Sequence, residues 1–334
     1  MRALMPCLVN SDNHLVIVCD ANTEVGLGHF SRCFTIAQAL MSRNQDLTVS
    51  FFGNFNDFAI KKLEKAQISY SQQLPLHRGY SILVDGYQHN EQSLQALAQH
   101  GKYLFVIDDF DVYNFACVDL IINFRFGAER LIDNSSKHCL GLTFFPFQPQ
   151  FIPVRKKRMQ TPNREIKQIL VVVGGSDRYD VATKLLIALD EVVSGCQITL
   201  LGEHPQLPAL THNSIVLHPF VEDMAAYYSS ADIVLCGGGL VKYESGFCLV
   251  ANAALAQTPE QQLDTQILAR SQLSYDLGLA SELDLNSDVL KVKLKAFLHP
   301  EQLQSQFESM RYHYDTDSTH NLVSKILELI HVKT

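Results

Sequence analysis

A chain of 334 residues, 47% hydrophobic and 19% charged, is long enough for two cores of ordinary size and too apolar to be disordered. Its net charge of -8, with no Lys/Arg run beyond residues 155–158, excludes a general nucleic-acid binder. Eight scattered cysteines, mostly inside apolar runs and without a CxxC pair, point to buried reduced thiols in a cytoplasmic protein rather than to a zinc site. Residues 1–14 lack a basic start followed by an apolar core and a cleavage site, and no apolar run approaches ~18 residues, so neither a leader nor a membrane span is expected.

In chain order, residues 1–14 read as a loose extension. Residues 15–40, LVIVCDANTEVGLGHFSRCFTIAQAL, read as a buried strand at 15–19, a polar loop with Gly26 and Gly28, and a helix opening at His29. Phe30, Cys33, Phe34, Ala37, Leu40 and Met41 recur at helical spacing, so one face of that helix is expected to pack on a sheet while its first turn points at whatever binds the loop. Strands follow at 47–52, 80–84, 103–107 and 120–122, with helices at 57–66 and 91–100. Strands alternating with helices imply a parallel sheet, whose ligands sit beyond the carboxyl ends of its strands. Asp20, Asp85, Tyr87, Asp108, Asp109 and Asn123 fall on that edge.

Prolines at 146, 149, 153 and 162 and the basic cluster at 155–158 change the character of the chain, and 151–165 reads as a linker between an N-terminal domain (15–150) and a C-terminal one (166–315). A second series follows: a strand at 168–173 ending in Gly174, Gly175 and Ser176, a helix at 180–193, and strands at 197–202 and 215–217. Next come a helix at 222–230, a strand at 232–236, the loop Gly237, Gly238 and Gly239, a helix from Val241 and a strand at 251–256. The remainder reads as mainly helical, and the amphipathic helix within 316–334 is expected to pack back on the N-terminal domain. The fold class is therefore α/β, two Rossmann-like domains facing a central cleft that binds a ligand between them.

The run from Gly26 to Ser31 has the outline of a dinucleotide fingerprint. Ser31 stands where the third glycine belongs, however, and the second strand ends in Gly53 and Asn54 without a ribose-binding acid, which removes the nicotinamide reading. What survives is general: small residues let a ligand approach the backbone, and helix amides favour an anion. His29 is the candidate base, because an imidazole of ordinary pKa ~6.5 accepts a proton from water near neutrality. Cys33, one turn on, reads as core packing. The loops 174–176 and 237–239, each after an apolar strand in the same half, make a nucleotide diphosphate site, and Glu244 in the following helix is placed to take both hydroxyls of a ribose. Asp109 and Asp111 after a strand fit either a metal-diphosphate motif or a solvated turn with a capping aspartate. Two glycine loops already offer a metal-free diphosphate site, so neither a metal nor a cofactor is expected.

In this order the motifs carry a resemblance. Asp20 and the loop to His29, then Asp85, Gly86 and Tyr87, Asp108 and Asp109, Asn123, Gly174 to Asp177, and Gly237 to Glu244 resemble the UDP-sugar hydrolases of pseudaminic acid biosynthesis and, more distantly, the two-domain GT-B glycosyltransferases. The resemblance implies a GT-B fold and metal-independent hydrolysis of a UDP-linked diacetamido-trideoxy hexose, with inversion at the anomeric carbon. Carried over, it makes His29 the water-activating base, with Asp20 and Tyr87 beside the sugar. Both glycine loops would hold the diphosphate and Glu244 the ribose, while Gly26, Gly28, Asp85, Asp109, Asn123, Leu240 and Gln261 complete the substrate-binding set. The chain departs from the family pattern at Val18, where an arginine is usual, at Glu260 before Gln261, and at Lys242 and Tyr243. A glycosyltransferase with a UDP-sugar donor, or a nucleotide-sugar binding protein without catalysis, are the alternative readings. The expected partner is a UDP-sugar; the oligomeric state is left open, and a monomer is compatible with it.

Overall fold

The computed structural model describes residues 13–331, apart from 23–24, 76–77, 132–134, 162–164, 175–176, 205, 219–220 and 222. The chain divides into two compact units, Met1–Pro146 with Asp317–Thr334, and Phe147–Thr316.

The first unit begins with β1 (His14–Cys19), α1 (Gly28–Arg43), β2 (Thr48–Phe52), α2 (Asp57–Lys65), β3 (Ser69–Ser71) and β4 (Tyr80–Asp85). It continues with α3 (Glu91–Ala98), β5 (Gly101–Ile107), β6 (Leu120–Asn123), α4 (Ala128–Leu131) and β7 (His138–Leu140). The strands form one parallel sheet in the order β3-β2-β1-β4-β5-β6-β7. β1, β4 and β6 are buried along their whole length, which is why they read as continuous apolar runs rather than alternating ones. The strand order reverses between β1 and β4, and such a reversal opens a crevice beyond their carboxyl ends. α1 lays Phe30, Cys33, Ile36, Ala37 and Leu40 into the core at helical spacing.

The second unit opens with α5 (Phe151–Gln160), then β8 (Gln168–Val172), α6 (Val181–Val192), β9 (Gln197–Leu201), β10 (Ser214–His218), α7 (Met224–Ser230) and β11 (Ile233–Cys236). α8 (Val241–Phe247), β12 (Ala251–Ala256), α9 (Pro259–Arg270), β13 (Tyr275–Leu279), α10 (Asp288–Phe297) and α11 (Pro300–His313) complete it. Its parallel sheet has the order β10-β9-β8-β11-β12-β13, with the same kind of reversal between β8 and β11.

Two expectations are corrected here. The stretch read as a linker is mostly α5, a helix of the second unit. Pro153 does not break it, because a proline in the first turn removes an N–H that has no intrahelical acceptor anyway. The basic cluster at 155–158 is partly interior, since Arg155 and Arg158 are buried. Arg155 donates to the carbonyls of Phe247 (2.8 Å), Tyr314 (3.0 Å) and Arg311 (3.1 Å), and Arg158 to those of Tyr228 (3.1 Å) and Ala231. These carbonyls stand at the ends of α8, α11 and α7, where the last turns lack acceptor partners. Three short strands were also missed: β3 and β7 have three residues each, too few to show a period, and β13 contains Asp276 and Gly278.

α12 (Ser318–His331) belongs to the first unit and packs on α1 and on the helical turn Leu142–Phe144. Leu322, Val323, Ile326, Leu327 and Ile330 form its buried stripe, and Arg43 of α1 donates to Ser324 at 2.6 Å.

One carboxylate fixes a surface turn of the second unit. Asp190 of α6 accepts the backbone N–H groups of Thr211 (2.7 Å) and His212 (3.0 Å), the Thr211 hydroxyl, and the Asn213 amide. Burial alone would raise its pKa; the donors outweigh burial and hold the carboxyl at about 2. A depressed carboxyl stabilises the fold above the ordinary aspartate pKa of ~3.9 and loses that contribution as pH falls toward its folded value. Asp190→Ala is expected to lower stability by about 1–3 kcal/mol at neutral pH, from donors left unpaired. In urea unfolding the gap to the parent should close between about pH 4 and pH 2; a gap that does not change with pH refutes the assignment.

Candidate functional site

The carboxyl edge of the first sheet gathers a connected group of charged side chains. His29 is the second residue of α1, and its Nδ1 lies 2.7 Å from Asp85 Oδ1 at the end of β4. Arg32, one turn further along α1, donates through Nε to Asp85 Oδ2 and through a terminal nitrogen to Asp85 Oδ1, both at 2.6 Å. Its other terminal nitrogen donates to Asp109 Oδ2 at 2.9 Å, and the same oxygen accepts the Tyr87 hydroxyl at 2.7 Å. The guanidinium lies 5.1 Å from the centre of the Phe124 ring, a cation–π contact that helps to hold it in the interior. The ring of Tyr87 is about half exposed and meets His29 edge-on at 4.6 Å, while its hydroxyl turns inward to Asp109.

The electrostatics follow from this geometry. Asp85 is completely buried, and burial pushes its carboxyl up; the charge of Arg32, then His29, with their hydrogen bonds, outweigh burial and hold it far below the usual range. Ionised, it can only accept, so the His29 Nδ1 proton is assigned to the Asp85 bond and Nε2 keeps its lone pair. Arg32 bears one positive charge against the negative charges of Asp85 and Asp109. The group therefore carries one net negative charge while His29 is neutral and none once His29 takes a proton. Burial, and then Asp109, raise the pKa of the Tyr87 phenol, so it acts as a hydrogen-bond donor. Burial likewise pushes the Cys33 thiol well up, and its Sγ lies 3.5 Å from Asp85, in keeping with a packing role.

Other sequence candidates lie around this group with different partners. Asp20 is half-buried and braces the neighbouring turn, accepting the Asn54 N–H at 2.8 Å and the Gln88 amide at 3.3 Å. Asn123 ends β6 and accepts the Arg125 N–H at 3.3 Å. Gly26, at φ +74°, donates to the Asn22 carbonyl, and Gly28 opens α1, whose N-cap Leu27 provides no side-chain cap. Asp108 is a turn-forming residue, accepting the N–H groups of Phe110 (3.2 Å) and Tyr113 (2.7 Å). Arg32 was not singled out from the sequence. The available signal was a cation three residues after the candidate base, on the same helical face and beside the inward Cys33.

In the second unit the two glycine loops follow adjacent strands, β8 and β11. Gly175 and Ser176 lie outside the described residues; Gly174 has φ +110°, a conformation that favours glycine. At Gly237 a Cβ would stand 2.3 Å from the Val173 carbonyl, so only glycine lets the two loops approach this closely. Gly238 has φ +86°, and its carbonyl accepts from the buried ammonium of Lys242, which also pairs with Asp264 at 2.9 Å. In a trans peptide the N–H points opposite to the carbonyl, so the Gly239 N–H faces away from Lys242, and among the described residues no heavy atom beyond its chain neighbours comes within 4 Å of a Cβ built on Gly239. Leu240 is the N-cap of α8. Glu244 is half-buried and accepts the hydroxyl of buried Tyr228 at 2.8 Å. Gln261 accepts the Gln257 N–H at 3.0 Å. Glu260 is exposed in the first turn of α9, where its own amide and then the Thr258 hydroxyl hold its carboxyl low. The N–H groups of Val181 and Ala182 at the start of α6 are taken by Asp177 at 2.6 and 2.9 Å.

The Lys242–Asp264 pair yields a stability prediction. Lys242→Met leaves a buried carboxylate without its ammonium and is expected to cost about 3–5 kcal/mol in urea unfolding. The double variant Lys242→Met/Asp264→Leu should recover most of that loss; equal destabilisation of the two would contradict the pairing.

No protein-family model matches the chain. It is 22% identical over 289 residues to the spore coat polysaccharide biosynthesis protein SpsG of Bacillus subtilis, across 80% of this chain and 84% of SpsG. Identity is 22% over 274 residues, 74% of this chain and 56% of the relative, to the uncharacterized protein MJ1062 of Methanocaldococcus jannaschii. It is 26% over 253 residues, 73% of this chain and 43% of the relative, to the pseudaminic acid cytidylyltransferase and UDP-2,4-diacetamido-2,4,6-trideoxy-beta-L-altropyranose hydrolase of Helicobacter pylori. The chain thus spans less than two thirds of the last two relatives. Among solved structures, MurG of Acinetobacter baumannii superposes with a TM-score of 0.66 at 17% identity, over 95% of this chain and 99% of that one. The S. aureus MnaA-UDP co-structure gives 0.64 at 12% identity, over 96% and 98%. At such identities the likeness is one of fold: the two parallel-sheet α/β units have the GT-B fold.

Proposed function

We propose that the chain hydrolyses a UDP-sugar, releasing UDP and a free diacetamido-trideoxy hexose for a nonulosonic acid such as pseudaminic acid, and so serves surface polysaccharide biosynthesis. The observation that carries this reading is the His29–Asp85 pair backed by Arg32, a base whose cluster loses its net charge when a proton arrives. The polysaccharide-biosynthesis name of SpsG and the hydrolase named in the Helicobacter pylori relative support it. In the reaction a water oxygen bonds to the anomeric carbon and its proton passes to His29 Nε2. The bond from that carbon to the phosphate oxygen breaks, UDP leaves with the electron pair, and attack opposite the leaving group inverts the centre. The glycine loops of the second unit stabilise the leaving diphosphate through backbone N–H groups and Glu244 holds the ribose, while Tyr87, Asp109 and Asp20 serve the sugar.

A second reading is transfer of the sugar to an acceptor hydroxyl. It is favoured by a relative, 25% identical over 189 residues, named as the N-acetylglucosamine transferase acting on pyrophosphoryl-undecaprenol in Sulfurihydrogenibium. Among the described residues no helix is long and apolar enough to cross a membrane. The deciding experiment incubates the purified chain with UDP-sugars and follows UDP, with and without acceptor and EDTA. Release without acceptor and unaffected by EDTA is the expected result. Release only with acceptor would replace hydrolysis by transfer, and UDP-sugar binding without turnover would overturn both readings.

A further inference from the structure

Beside the charged group, the first unit holds a cavity of about 230 Å³, of whose lining the reaction described above uses only Asp20. Its apolar floor is made by Val18 and Phe52, paired across β1 and β2, and its walls include Asp20, Asn54, Gln88 and His89. At ~30 Å³ per water it has room for roughly seven waters, enough for a substituted sugar ring edge and too little for a nucleotide.

The walls are built before any ligand arrives. Gly53 lies so close to the end of β1 that a Cβ there would stand 2.0 Å from the Cys19 carbonyl. Ala21 donates to the Asn54 carbonyl at 2.8 Å, Asp20 accepts the Asn54 N–H, and the Gln72 amide donates to the Asn54 side-chain oxygen at 3.0 Å. Gln88 reaches Asp20 at 3.3 Å, a long bond that a better donor would displace. His89 Nε2 is buried and has no hydrogen-bond partner among the described residues, the kind of polar atom that asks for one. Burial lowers the pKa of His89 against the opposing pull of Asp20 and Asp85, so its ring is neutral near pH 7.

The charge of the lining decides the ligand class. Among the described residues that line it, Asp20 is the one acidic side chain and none is lysine or arginine, so a phosphate or carboxylate would find no counter-charge there. Uncharged carboxamides and a neutral imidazole both donate and accept, matching an amide. The Val18 and Phe52 floor suits a methyl group, which a bare hydroxyl would not use.

We propose that this cavity is a subsite for a neutral acylamino substituent of a sugar, with its N–H directed to Asp20, its carbonyl to the amides of Asn54 or Gln88, and its methyl to Val18 and Phe52. The position ties it to the base: Gln88 and His89 follow Asp85 and Tyr87 in one segment, and Asp20 directly follows the neighbouring strand β1. The inference rests on the UDP-sugar reading for its biological meaning, but its test does not need turnover.

The full chain is titrated with free N-acetylglucosamine, glucose and glucuronate by calorimetry and saturation-transfer NMR, and separately with UDP. N-acetylglucosamine is expected to bind at least about tenfold more tightly than glucose, and glucuronate not to bind. Val18→Phe fills the cavity and should abolish sugar binding, and Gln88→Ala should weaken it by about fivefold or more, the loss of one hydrogen bond. Both variants should keep parental UDP affinity, which reports that the chain is folded. If Val18→Phe does not fold, the exposed Gln88→Ala and Asn54→Ala variants carry the test. Equal binding of the two neutral sugars, binding unchanged in the folded variants, or no binding by the folded parent would overturn the subsite. Absence of UDP release with intact sugar discrimination would instead overturn only the proposed reaction.

Discussion

His29→Ala is expected to lower UDP release by about a thousandfold while leaving UDP affinity within about twofold of the parent. General-base catalysis contributes about 10²–10⁴ to rate, and the residue belongs to the first unit whereas the loops assigned to UDP belong to the second. The change should appear in kcat with little effect on KM, as for an interaction made only in the transition state. Asp85→Asn provides the internal comparison. Its amide can keep the shape of the His29 contact but removes the charge that favours the imidazolium, so it should also lose most activity. An active His29→Ala enzyme would refute the base assignment, whatever the behaviour of Asp85→Asn.

Arg32→Met should have the largest effect on stability. Arg32 is buried and makes three short charge-assisted bonds to two buried carboxylates, so its removal leaves both without a cation. Breaking a buried pair in this way costs about 3–5 kcal/mol. Arg32→Lys should rescue little, because a single ammonium cannot reproduce a fork that holds Asp85 through two bonds and Asp109 through a third. The sign of the pH dependence is set by Asp85, whose folded carboxyl lies far below its ordinary value. Its contribution is complete above the ordinary aspartate pKa of ~3.9 and falls away in acid. The difference in urea midpoint between parent and Arg32→Met should therefore be largest near neutrality and shrink as pH falls and the stranded carboxylates take up protons. A difference independent of pH would mean that Arg32 acts through packing on Phe124 and not through charge.

Much of the fold was legible because its signals are local. The apolar runs of β1, β4 and β11 and the stripe Phe30, Cys33, Ala37 and Leu40 declare buried strands and a one-sided helix over windows of a few residues. The segment at 151–165 misled for the same reason. Proline density reads locally as a linker, whereas the position of Pro153 in the first turn and the carbonyls waiting for Arg155 at the ends of α8 and α11 are visible only in the folded unit. His29, Asp85, Tyr87 and Asp109 could be picked out because they end strands or open a helix. Arg32 carried only a weaker signal, its place one turn after His29 and beside the inward Cys33, which does not by itself tell a buried cation from a solvated one.

By itself, then, the sequence determined the alternation of strands and helices, the two glycine-loop halves and the edge on which chemistry-bearing residues would stand. Only the tertiary structure decided which of those residues meet. Arg32 is 53 residues from Asp85 and 77 from Asp109 along the chain, and the parallel register of β1, β4 and β5 is what brings them within hydrogen-bonding distance of one helix turn. Asp20, equally prominent in sequence, was drawn instead to the turn after β2 and the wall of the neighbouring cavity. Periodicity is written over a few residues, but the partner of a buried charge is set by register across a sheet, and that exists only once the chain has folded.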